Sequence, residues 1–304
     1  MILESDKKIV RELAKRYMEL VTTDKQKRSR ERARNTNDLI QVRPPVILDE
    51  IPWYQMDIDD ELTLRCQNGW ARNVERHFRR CLYYFKYFKA DNNFEPFFRV
   101  KRAYDSTGIG IEMKAVDIKR TDENNNIVSS EFEDVLADES ALELLHDPEF
   151  TLRPDEDENN MLFYSELLGD SIPIRLYGFD YYYDGPWDKI TRLRGVEPIL
   201  FDMYDRPDLR KIGCSPWAKV EVMAEKIGRN YVLARKPNPA FVAINTDPEV
   251  IRAETEETVK ACIKYGCPYE FVLKDISTVS GKPQNLIVWA QTVSEVLDEY
   301  YGKE

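Results

Sequence analysis

The chain of 304 residues carries a net charge of -11, with 42% hydrophobic and 33% charged residues. That balance supplies the core of one large or two small domains and excludes a largely disordered chain. The negative total excludes nucleic acid as the main partner, because phosphate binding needs a positive footprint.

Residues 1–39 read as helix, with Ile9, Leu13, Tyr17, Leu20 and Val21 at helical spacing. The dense basic run over 25–34 is either an anion clamp or a solvated helix face. Arg43-Pro44-Pro45-Val46-Ile47-Leu48 is a stiff extended lead-in, since proline fixes φ and pushes its predecessor away from helix. Asp59-Asp60-Glu61, ahead of Leu62, has the look of an acidic first helical turn. Residues 69–88 form an aromatic, arginine-rich helix whose alternation suits an anionic ligand or a packed face with snorkelling arginines.

A strand is expected over 93–100, then a loop at Gly108-Ile109-Gly110 that permits close backbone approach. A β-hairpin excursion over 110–120 and 127–133 turns around 122–126. Helices follow over 137–146 and 158–168, the second opened by the acid run 155–158. A strand over 171–178 feeds an aromatic loop, 179–188, in which Tyr182 and Trp187 are either a pocket wall or packing under a long loop. Residues 189–204 are helical.

From Leu209 the alternation is regular. A strand over 209–214 leads to the Ser215-Pro216 cap and a helix over 217–227. A strand over 231–234 ends in Arg235-Lys236-Pro237-Asn238-Pro239, and Thr246-Asp247-Pro248 caps a helix over 249–265. Phe271-Val272-Leu273 is the last strand, followed by Lys274, Asp275, Ser277 and Thr278 and by a helix from about Gln284 to Tyr300. Three βα units in series predict a parallel sheet with helical cover. Such folds build their sites at the carboxyl ends of strands. Glu270 shares a strand face with Val272 and Lys274; Lys274 and Asp275 read equally as a solvated pair.

The five cysteines, Cys66, Cys81, Cys214, Cys262 and Cys267, contain no Cys-x-x-Cys and read as reduced packing residues. The only histidines, His77 and His146, sit in no metal-binding pattern, so no metal ligands are expected. No apolar run is long enough for a membrane span, and residues 1–8 lack the apolar core of a secretory leader, so the expected location is cytoplasmic.

Several motifs together resemble the uroporphyrinogen decarboxylase-like superfamily, and within it a bacterial branch close to corrinoid-dependent methyltransferases. They are Glu50-Ile51-Pro52-Trp53, Leu82-Tyr83 with Asp91, Gly108-Ile109-Gly110 and Gly185-Pro186-Trp187-Asp188. Further on they are Arg194-Gly195-Val196, Asp205-Arg206-Pro207, Ser215-Pro216-Trp217, Lys236-Pro237-Asn238-Pro239-Ala240 and residues 270–278. The resemblance implies a TIM barrel. Here Asp208 runs straight into Leu209, where the branch carries a long segment with a Tyr-Gly-Cys-Cys-Glu-like element. The expected fold is therefore α/β, a TIM-barrel-derived parallel sheet with helical cover and an incomplete barrel, with about five core strands where closure takes eight. Residues 1–44 are expected to be an N-terminal helical extension and 45–304 the barrel domain.

The resemblance implies methyl transfer between a small methylated compound and a corrinoid (cobalamin) or thiol, the corrinoid arriving on a partner protein or as substrate. Glu270, Lys274 and Asp275 are the catalytic candidates; Lys236, Asn238, Tyr182, Trp187 and Ser277 are the substrate-binding ones. The zinc site of the relatives is not evident, because its thiolates fall in the segment without counterpart. Porphyrinogen decarboxylation, with a tetrapyrrole substrate, is an alternative that the Arg43-Pro44-Pro45 run recommends. A catalytically inactive, shortened relative acting as a binding module is another. A homodimer is compatible with either.

Overall fold

Helices and short strands alternate through the computed structural model, which describes residues 2–40, 42–117, 130–178, 186–205, 219–244, 246–274 and 276–303. In chain order they form helices α1 (Glu4–Val21) and α2 (Asp24–Asn37), strand β1 (Val46–Leu48), helix α3 (Gly69–Tyr87), and strands β2 (Phe98–Lys101), β3 (Tyr104–Ser106), β4 (Ala115–Asp117), β5 (Ser130–Phe132) and β6 (Phe150–Leu152). Next come α4 (Pro154–Leu168), β7 (Ile174–Tyr177), α5 (Pro186–Arg194), α6 (Val196–Asp205) and α7 (Val220–Ile227). The chain ends with β8 (Leu233–Arg235), α8 (Pro239–Ile244), α9 (Pro248–Tyr265), β9 (Tyr269–Leu273) and α10 (Gln284–Tyr301). The class is mixed α/β with small parallel sheets, and among the described residues no barrel closes.

Two units separate by contact. The first comprises Met1–Pro96, Leu167–Pro173 and Ser215–Glu304. Its sheet has three strands in the order β1-β9-β8, all parallel. Val46 pairs with Phe271 and Leu48 with Leu273, while Leu233 pairs with Tyr269. Alternation then sends these six side chains to one face, where all are buried in a core shared with Val259, Leu286, Trp289 and Val293 of α9 and α10. Each such side chain contributes about 1.5–3 kcal/mol on full burial. Tyr269 Oη meets Tyr301 Oη at 3.0 Å, fastening the end of α10.

The outer edge of β1 is closed by polar groups. Val46 donates its N–H to Asp91 Oδ2 at 3.0 Å, and Asp91 donates its own to the Val46 carbonyl at 2.7 Å. Asn92 does the same for Leu48, accepting its N–H at 2.9 Å and donating to its carbonyl at 2.7 Å. An edge that would otherwise offer unpaired groups to another chain is thereby filled. Asp91 also pairs with two buried arginines, Arg32 of α2 and Arg43.

α1 lies against α3 through Val10, Leu13, Ala14, Tyr17 and Val21, a stripe at helical spacing. The Tyr17 ring packs tilted against that of Phe78, centre to centre 5.3 Å, and its hydroxyl donates to the Glu95 carbonyl at 2.7 Å. The lead-in to α3 is held by two buried acids. Asp6 accepts from the N–H groups of Gln67 and Asn68, and Glu75 from those of Arg65 and Cys66. Burial opposes charge on Glu75, but the Cys66 and Arg65 N–H groups and Arg79 outweigh it and hold its carboxyl below the ordinary value. Asn68 caps α3 by accepting from Trp70 and Ala71.

The second unit comprises Phe97–Glu166 and Ile174–Cys214. Its parallel pair, β2 with β7, is accompanied by two antiparallel pairs, β3 with β6 and β4 with β5. The β4–β5 pair is the hairpin expected near 110–133; its turn lies outside the described residues. Asp157, buried in α4, accepts the Ala103 N–H at 2.6 Å.

Several expectations need correction. Residues 1–39 are two helices, parted at Thr22 and Thr23. Asp59 and Asp60 do not start a helix: both adopt left-handed backbone, φ 54° and 57°, and the Asp57 carboxylate takes the Leu62 N–H and the Thr63 hydroxyl instead. Aspartate tolerates this conformation, and two such residues in series end any right-handed helix. The segment near 137–146 contains only a 3-10 turn, Glu139–Leu144. The helix expected over 189–204 is broken at Gly195, φ 81°, where an added Cβ would come 2.8 Å from the Phe132 carbonyl oxygen. The stretch 43–48, read only as extended, supplies a paired strand. The strand expected over 209–214 and the Ser215-Pro216 cap lie outside the described residues.

Candidate functional site

The carboxyl ends of β1, β9 and β8 release three segments at one rim: residues 49–55, 274 with 276–281, and 236–244. Parallel pairing of adjacent strands makes this unavoidable. The register aligns Arg235 with Phe271 and Leu48 with Leu273, so Lys236, Lys274 and Asp49 all leave the sheet on the same side. Asp49 donates its N–H to the Leu273 carbonyl at 2.8 Å, carrying the pairing one step past β1.

Lys274 Nζ lies 3.4 Å from Glu50 Oε1. Glu50 holds left-handed backbone, φ 51°, and its N–H bonds to its neighbour's carboxylate, Asp49 Oδ1, at 3.0 Å. A non-glycine residue in that region stores about 1–3 kcal/mol of strain, which surrounding structure must over-determine. Glu270, paired with Ala234, is half-buried on the sheet face opposite the helix-covered core, as are Val272 and Ile47. Burial pushes the Glu270 carboxyl up from its ordinary value.

Three side chains lace the rim together. Gln55 Oε1 accepts from the Thr278 hydroxyl at 3.0 Å and the Val279 N–H at 2.7 Å. Asn285, in the first turn of α10, donates to the Ala243 carbonyl at 3.0 Å and the Val279 carbonyl at 3.4 Å. Tyr54 Oη donates to the Ser277 carbonyl at 3.1 Å.

A groove of about 410 Å³ runs from Asp49, Glu50 and Trp53 to Arg76, His77 and Arg80 of α3. The Arg80 guanidinium sits 5.1 Å from the Trp53 ring centre. The protein around it, and after that the Arg80 charge, push the imidazole of His77, which stays exposed at the groove, down from its ordinary value. Burial pushes the Cys81 and Cys66 thiols up to about 12, which keeps both protonated. Among the described residues no three His, Cys, Asp or Glu side chains gather as a metal cluster would.

Of the residues singled out in the sequence, Glu270, Lys274, Lys236, Asn238 and Ser277 fall on this sheet or its rim. Lys236 and Ser277 are exposed and Asn238 is half-buried. Asp275 and Tyr182 lie outside the described residues; Trp187 lies in α5 of the second unit, with its side chain outside them. Glu50, Gln55 and Asn285 were not among the candidates; Glu50 lies in a motif quoted for the resemblance, while Gln55 and Asn285 act through contacts distant in sequence. His77 and Arg80 belong to the arginine-rich helix whose pattern suits an anionic ligand or a packed face. Arg43 lies at the amino end of β1, engaged with Asp91 and Asp298.

Comparison of the chain with family models, with curated proteins and with solved structures finds no match.

Proposed function

We propose that the chain is an incomplete TIM-barrel relative of the uroporphyrinogen decarboxylase-like superfamily, in its methyltransferase-like branch, and that the rim of β1, β9 and β8 is its site. The observation that carries this reading is the parallel pairing of the first strand with the last. It brings Glu50, from one matching motif, to 3.4 Å from Lys274, from another at the far end of the chain. A closed barrel has the same seam between first and last strands.

The reaction is transfer of a methyl group between a small methylated compound and a corrinoid or thiol. Lys274 and Lys236 hold anionic groups of the substrate, and Asn238 and Glu50 bond its amides. Where the methyl group leaves a small methylated compound for the corrinoid, Glu270, inclined by burial to keep its proton, protonates the heteroatom that is left behind. The test is anaerobic absorption spectroscopy of the full chain with cobalamin chemically reduced to the cob(I) state and a series of methyl donors. A donor-dependent shift of the cobalt bands is expected, slowed about 100-fold in Glu270→Gln.

A second reading, a shortened relative that binds a partner without catalysis, is favoured by the absence of a closed barrel among the described residues. Unchanged cobalt bands with every donor select it.

A further inference from the structure

The basic run on α2 has no part in the rim, yet it borders a cavity of its own. Lys25, Arg28 and Arg32 share one face of that helix, spaced at i, i+3 and i+7. Like charges so placed repel one another. A cavity of about 290 Å³ opens along this face, and Arg43 and Lys89 bring the cations lining it to five. Two carboxylates line it, Asp91 and Asp298. The protein already engages both. Asp91 takes Ser29, Arg32, Arg43 and the Val46 N–H; Asp298 takes Arg43 at 3.1 Å and Lys89 at 2.8 Å. The lining is left with a surplus of positive charge, in a chain whose total is -11.

We infer that this cavity binds a small phosphorylated anion of the di- or triphosphate class. Its floor is prearranged. Arg32 and Arg43, each 8% exposed in their side chains, are fixed by Asp91, so little side-chain freedom remains to be lost on binding. Guanidinium groups match phosphate oxygens in planar, paired bonds. Lys25, Arg28 and Lys89 are exposed and stand around the mouth as point charges. The volume falls just below the range of small-molecule sites, about 300–1,000 Å³, and a concavity of that size suits a compact anion better than a nucleic-acid strand. The site sits at the amino end of β1, away from the proposed rim, and does not depend on it.

The test is calorimetric titration of the full chain with inorganic tripolyphosphate. Saturable one-site binding is expected, weakened tenfold or more in Lys25→Gln/Arg28→Gln and unchanged in Lys27→Gln, whose exposed lysine pairs with Asp24. The single Lys25→Gln variant, with an intermediate loss, guards against a folding defect in the double one. No saturable binding, or equal losses in Lys27→Gln and the double variant, overturns the inference. So does tighter binding of single-stranded RNA alongside unsaturable tripolyphosphate, which would give the α2 face to a polymer.

Discussion

The two units use parallel pairing very differently. In the first, β9 has a neighbour on each side, one sheet face is fully buried, and the free edge of β1 is filled by Asp91 and Asn92. In the second, β2 and β7 form a two-stranded pair, and β6 is exposed along its whole length, with Phe150 at 49%. A two-stranded pair is marginal in water without further packing. The lesson concerns placement of chemistry. A strained Glu50 and a half-buried Glu270 are tolerated where the frame around them is over-determined.

Breaking the frame at its edge should have the largest effect. Asp91→Ala strands two buried arginines and reopens β1; a loss of about 3–5 kcal/mol is expected in urea unfolding. Hydrogen exchange should accelerate throughout β1, β9 and β8, and in the wild-type chain β2 and β7 should exchange faster than those strands.

Glu75→Gln comes next. It leaves two N–H groups with a weaker acceptor and costs about 1.5–3 kcal/mol at pH 7. Because the folded-state pKa of Glu75 lies below the ordinary 4.5, its contribution is complete above that value and disappears as pH falls through the folded pKa. The difference between wild type and variant should therefore be constant above pH 4.5 and shrink progressively as acid is added below it.

Alanine at two glycines sharpens the contrast further. Gly266 ends α9 at φ 63°, and an added Cβ would meet Arg229 Nε at 2.9 Å. Gly266→Ala should cost about 1 kcal/mol, read in the global melt. Gly195→Ala meets backbone instead, the Phe132 carbonyl oxygen. It should raise exchange in α5, α6 and β5 and leave the first-unit strands unaffected.

The smallest effect has the opposite sign. Glu270 has a raised pKa, so its share of stability is complete below the ordinary value and lost as pH rises through the folded pKa. Glu270→Gln should raise the melting temperature at pH 7 and leave it unchanged at pH 4, while slowing any methyl transfer about 100-fold. A variant less stable than wild type at pH 7 would remove Glu270 from the proposed role.

Local features were legible because neighbours in sequence fix them. Asp247-Pro248 announces α9, and Asp247 accepts the Glu249 N–H at 3.0 Å as a cap should. The β9 run and the α10 start were equally plain. Asp59 and Asp60 were misread because a left-handed pair has the composition of an acidic helical start. The importance of Gln55 and Asn285 was illegible, and Asp91 stood out as a motif residue without its role at the β1 edge, since each bonds to groups far away in the chain.

The amino-acid order alone determined the alternation of helix and strand and the polar residues trailing β8 and β9, since propensity, capping and periodicity act over a few residues. Tertiary structure alone decided that β1 lies beside β9, that Glu50 reaches Lys274, and that five cations share one cavity beneath the sheet's amino end. Those outcomes depend on pairing and burial between distant segments, which no local preference encodes.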